Sequence, residues 1–122
     1  MATFSLRQAI VPSGSWIVLG VRDDTHVEQR NGLNVSVGSF TEVLLYNIAA
    51  APISITWELR DPTGAVLQPN VIEVPARGTG RLVSTNCDRA AFYLRSAAPF
   101  LPYAELHGPD GATRVLPVYP IP

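Results

Sequence analysis

In "PISITWELR" the residues Ile53, Ile55, Trp57 and Leu59 alternate with Ser54, Thr56, Glu58 and Arg60. A repeat of two puts successive side chains on opposite faces, so this run predicts a strand with one face in a core and the other in water. "FTEVLLYN" at 40–47 is apolar on both faces and predicts an inner strand. Only "IAAAP" separates the two, short enough for the second to return antiparallel to the first. "DPTG" at 61–64 has proline second and glycine fourth, the signature of a type I turn, and announces a hairpin. Further short β-type runs are "FSLRQAIV", "SWIVLGV" and "LNVSV" upstream, and "AVL", "NVIEV", "GRLVS", "AAFYLRS", "FLPYAELH" and "TRVLPVYPI" downstream, with a turn at "GPDG".

No segment carries the helical period. Eight to ten short strands with frequent turn signals predict an all-β fold, a single antiparallel β-sandwich of immunoglobulin-like or jelly-roll-like winding. The length of 122 residues sets one domain over 1–122. Eleven prolines agree, because they confine interrupted strands to edges, bends and turns. The final "VLPVYPIP" alternates proline with apolar residues, and each proline removes a backbone donor. This segment, 116–122, either covers an edge of its own domain or stands off as an arm that docks on another subunit.

Charge changes the picture next. Charged residues are 16% of the chain, against ~25% in ordinary domains, and the formal net charge is −1. A nearly neutral protein lacks the positive field on which non-specific nucleic-acid binding draws, so no nucleic-acid partner is expected. So few charges suit a subunit that covers part of its surface with neighbours. The start "MATFSLRQAIVPSGSWIVLG" has no basic stretch leading into an unbroken apolar run, because Pro12, Ser13 and Gly14 interrupt it. It is expected to be neither signal peptide nor membrane span.

The candidate chemistry is sparse. "VPARGTGR" at 74–81 places Gly78 and Gly80 between Arg77 and Arg81. A phosphate loop needs a helix N-terminus behind it, and "RLVSTN" offers a β-type run instead, so a turn between strands is expected, its glycines supplying positive-φ freedom. His26 lies beside Asp23, Asp24 and Thr25 in "VRDDTHVEQRNG", in principle a base, orienting carboxylates and a nucleophile. Neighbours in one loop seldom face each other as a triad requires, and a solvated polar loop is the expectation. Cys87 has only Arg89 nearby in sequence to lower its pKa. As the single cysteine it excludes an internal disulfide. His107 precedes "GPDG" and reads as an edge or turn residue. With so few ligand types, no metal, no cofactor and no enzymatic activity are expected. Trp16, Trp57, Phe92, Tyr93, Phe100 and Tyr103 are too dispersed for a base-stacking platform and are expected in the core or in cross-strand pairs.

Between residues 40 and 107 the series "TEVLLYNIAAAP", "ISITWELRDPTG", "VIEVPARGTGRL" and "FYLRSAAPFLPYAEL" resembles the sensory rhodopsin transducer family and other small bacterial and phage immunoglobulin-like modules. The resemblance implies an oligomeric, partner-binding protein without catalytic activity. The expectation that follows is a structural subunit, a bacteriophage capsid decoration or accessory protein located in the virion. The alternative is a soluble regulator in the bacterial cytoplasm that resembles the transducers. Self-association as a trimer or other small cyclic form is expected. Its interface would use apolar residues of the two chain ends: Phe4, Leu6, Leu116, Val118, Tyr119 and Ile121.

Overall fold

The computed structural model describes residues 10–84, 89–109 and 111–121. It is an all-β sandwich, and the described residues form eleven strands: β1 (Trp16–Val21), β2 (His26–Arg30), β3 (Leu33–Val37), β4 (Phe40–Asn47), β5 (Ile53–Arg60), β6 (Val66–Val74), β7 (Thr79–Val83), β8 (Ala90–Ser96), β9 (Phe100–His107), β10 (Thr113–Leu116) and β11 (Tyr119–Ile121). One sheet has the order β11-β1-β8-β5-β6 and the other β10-β9-β4-β7, while β2 and β3 form a separate hairpin. β1 lies between β11 and β8, β5 between β8 and β6, and β4 between β9 and β7, so that β6 and β7 fall in different sheets.

The period-two reading of β5 holds in full. Ile53, Ile55, Trp57 and Leu59 are buried, and Trp57 meets Phe92 edge to face at 5.6 Å between ring centroids. Ile17, Leu19 and Val21 of β1, Val43 and Leu45 of β4, and Phe92 and Leu94 of β8 complete the core with Val74, Leu82, Phe100 and Ala104. β4 is the inner strand expected, flanked by β7 and β9. Its partner is not β5, however, and here the sequence reading is corrected. Residues 48–52 carry the chain from one sheet to the other instead of closing a hairpin, and Asn47 shapes that corner. Its buried side chain donates through Nδ2 to the carbonyls of Ala51, Val74 and Pro75, and its Oδ1 accepts from the amide of Ala49.

Two other buried polar residues tie the sheets together. The Arg22 amide donates to Thr41 Oγ1 at 2.9 Å, the Thr41 amide to Ser84 Oγ at 2.9 Å, and the Ser84 amide to the Thr41 carbonyl at 2.9 Å. Every buried side-chain polar atom among the described residues has a partner, as a low-dielectric interior demands.

"AVL" and "NVIEV" are one strand, β6, with Pro69 opposite Glu58 and a register shift at Leu59/Arg60. As β6 is an edge strand, Pro69 interrupts no central ladder. "DPTG" is a turn as read, closed by the Gly64 amide on the Asp61 carbonyl at 2.9 Å.

The C-terminal run takes the covering-edge course. β10 extends the four-stranded sheet beside β9, the chain crosses at Pro117, and β11 extends the other sheet beside β1. Leu116 and Val118 pack against the core on the way. Deleting residues 116–122 is therefore expected to lower unfolding stability by about 2–4 kcal/mol, from lost apolar burial and ladder hydrogen bonds. The urea midpoint measures this, and an unchanged midpoint would show that the segment is not part of the monomer's fold.

Candidate functional site

Two features stand apart from the core. The first is the β2–β3 hairpin. The sequence reading took "VRDDTHVEQRNG" for a polar loop, and the structure corrects this to a strand from His26 paired with Leu33–Val37. Its reversal at Asn31-Gly32, with φ of 52° and 78°, is the primed turn that Asn-Gly favours in two-residue hairpins. "NG" was the signal that could have found it.

The hairpin belongs to neither sheet of the sandwich. Val27 and Leu33 are 66% and 68% exposed on its two faces. Its base, by contrast, is clamped. The Asp24 amide donates to the Ser39 carbonyl at 3.0 Å, and the Ser39 amide returns a bond to Asp24 Oδ1. That backbone donor, aided by Arg22, holds the Asp24 carboxyl below its ordinary pKa. Gly38 closes the base at φ +111°, where a Cβ would lie 2.5 Å from the Asp24 carbonyl oxygen and 2.7 Å from Thr25 Cα. No other residue fits there without moving backbone.

The imagined triad does not assemble. Thr25 bonds Asp23 through both its amide and its hydroxyl, at 3.1 and 2.6 Å. His26 turns instead to Glu28, Nε2 to Oε2 at 2.8 Å, and that bond raises its pKa. Glu28, shared between His26 and Arg30, is lowered correspondingly. Cys87 lies outside the described residues, as do Phe4 and Leu6.

"VPARGTGR" is a strand connection, but its geometry corrects one detail. The positive φ belongs to Arg77, at 55°, and not to the glycines. Gly78 and Gly80 are sites of close approach, since a Cβ would come within 2.7 Å of the Pro75 ring at the first and 2.9 Å of Val74 at the second. Arg81 is paired with Glu42.

That pair opens the second feature, on the outer face of the four-stranded sheet. Register sets Glu42 opposite Glu105 and Phe40 opposite His107. Glu105 and His107, two apart on β9, therefore point the same way. His107 Nε2 lies 3.1 Å from Glu42 Oε1 and 3.6 Å from Glu105 Oε1. Phe40 stacks on the imidazole at 4.7 Å between centroids. The outer oxygens are engaged elsewhere: Glu42 Oε2 with Arg81, and Glu105 Oε2 with the Tyr103 hydroxyl, which donates at 2.8 Å. Arg81 and then His107 lower the Glu42 pKa, and Glu105 raises that of Tyr103. All three members of the cluster are half-buried.

The expected end-of-chain interface is placed as follows. Leu116 and Val118 face their own core, Ile121 is half-buried opposite Trp16, and Tyr119 is exposed. Of the aromatic residues, Trp57, Phe92 and Phe100 are core, whereas Arg60 lies over the Tyr93 ring at 4.2 Å and Arg95 over Trp16 at 5.8 Å.

The sequence matches no protein-family model and no curated protein. Among solved structures it is similar to FlgD from Xanthomonas campestris, described as a hook-capping protein essential for flagellar assembly, at 18% identity over 88% of this chain and 70% of that one. The TM-score is 0.23, at which the two backbones do not superpose as one fold.

Proposed function

We propose that the chain is a non-catalytic structural subunit that binds copies of itself and a larger assembly, in the specific instance a bacteriophage capsid decoration or accessory protein. The observation that carries this reading is the hairpin: a rigidly based two-stranded ribbon that presents Val27 and Leu33 to solvent. An isolated hairpin is marginal in water and gains most from a surface to pack on. A second apolar strip, Val66, Leu67 and Val71, lies exposed on the β6 edge strand. An edge of this kind is a natural template for another chain. Hairpin and edge are different surfaces, so a contact between them is head to tail and closes into a small ring when the rotation permits.

Light scattering of the unaltered protein is expected to give a small cyclic oligomer. Val27→Glu combined with Leu33→Glu is expected to give a monomer with an unchanged circular dichroism spectrum, since neither side chain belongs to the core. A monomer at high concentration for the unaltered protein, together with no binding to a capsid shell, would refute the reading.

A further inference from the structure

We infer that Glu42, Glu105 and His107 form a site for one divalent transition metal, of which zinc is the type. The three ligand atoms lie within 4.8 Å of one another. Zinc bound at 2.0–2.2 Å by nitrogen and oxygen sets tetrahedral ligands about 3.3–3.6 Å apart. Of the separations from His107 Nε2, 3.6 Å to Glu105 Oε1 matches that edge length and 3.1 Å to Glu42 Oε1 falls just short of it. The third separation, between the two carboxylates, lies within 4.8 Å, so a metal ion would draw them together.

The outer contacts are those a metal site uses. Ligating carboxylates are characteristically hydrogen-bonded through their second oxygen, which fixes the first. Here Arg81 holds Glu42 Oε2 and Tyr103 holds Glu105 Oε2, so both Oε1 atoms face the imidazole. Phe40 lies flat against the ring of His107 and sets its orientation. Two carboxylates directly opposite each other on neighbouring strands repel, and against the single guanidinium of Arg81 the two carboxylates leave one negative charge over. A divalent cation would reverse that sign, bound by the Nε2 lone pair of the imidazole tautomer that carries its proton on Nδ1. Three protein ligands leave a fourth position for water, on the open face of the sheet.

The site is independent of the assembly reading, and its test leaves the hairpin untouched. Zinc is titrated into the purified full chain in competition with a chromophoric chelator, and cobalt is added separately to read its visible absorption. The expected result is one equivalent bound, with the intense band of low-coordinate cobalt. His107→Ala and Glu105→Gln should abolish stoichiometric binding. Tyr103→Phe, which keeps all three ligands, should weaken it about tenfold. His26→Ala, which removes the other histidine–carboxylate pair, should change nothing. Circular dichroism confirms that each variant is folded. The inference is overturned if the unaltered chain binds no stoichiometric zinc, or if binding survives His107→Ala or is lost with His26→Ala.

Discussion

Trp57→Ala is expected to lower unfolding stability by about 3–5 kcal/mol, the range for truncating a large buried aromatic. The residue sits in the middle of β5, inside the sandwich, its ring in edge-to-face contact with Phe92. Truncation removes apolar burial and the aromatic pair and leaves a cavity between two sheets whose backbones are locked by ladders on both sides. Such a wall relaxes only in part, so most of the cavity cost remains. A domain of this size has only about 5–15 kcal/mol in total, and the variant should unfold at a distinctly lower urea concentration. A midpoint within error of the unaltered protein would show that Trp57 is not packed as described.

Asn47→Asp is expected to cost a similar amount, about 3–5 kcal/mol, without any change in volume. Asn47 Nδ2 donates to three carbonyl oxygens, and an ionised carboxylate donates to none. The change leaves buried acceptors without partners, at roughly 1–3 kcal/mol each, and sets a negative charge among them. Asn47→Asp should therefore be much less stable at neutral pH than the parent, and its deficit should shrink in acid. The sign follows from the folded-state carboxyl being raised above its unfolded value. The charge part of the penalty is absent while both states are protonated and grows as pH rises through the unfolded pKa. Denaturant melts of the variant at neutral and acid pH, each against the parent, measure this difference. Equal deficits at both would count against the three-carbonyl contact.

What the sequence discloses here depends on how local the cause is. β5 is readable because burial of one face writes itself directly into alternate positions, and "DPTG" because the turn's dihedral angles select its residues. The partner of β4 is not readable: periodicity tells which side chains point inward, not which strand lies alongside, and a polar side chain at 47 decides that the chain changes sheets. β2 escapes an apolar criterion because the hairpin has no buried face to enforce alternation, although its Asn-Gly turn is in plain sight. The metal-ligand cluster is half visible. Glu105 and His107 share a face by their spacing alone, while Glu42 joins them only through the β4–β9 register, which no local pattern specifies.

The passage of the last strand pair from one sheet to the other bears on how the chain reaches its fold. β1 is made early, yet its second neighbour is β11, so that Trp16 waits for Ile121. Contacts between such distant positions are slow to form, because the intervening chain must be ordered before the pairing rewards it. During synthesis on the ribosome the outer edge of β1 stays unpaired until the final strands have emerged. A nascent sheet with an open edge pairs readily with other chains. A chain that lacked residues 113–121 would therefore keep the ladders of β4, β5, β8 and β9 and leave the outer edge of β1 open to recruit a stranger.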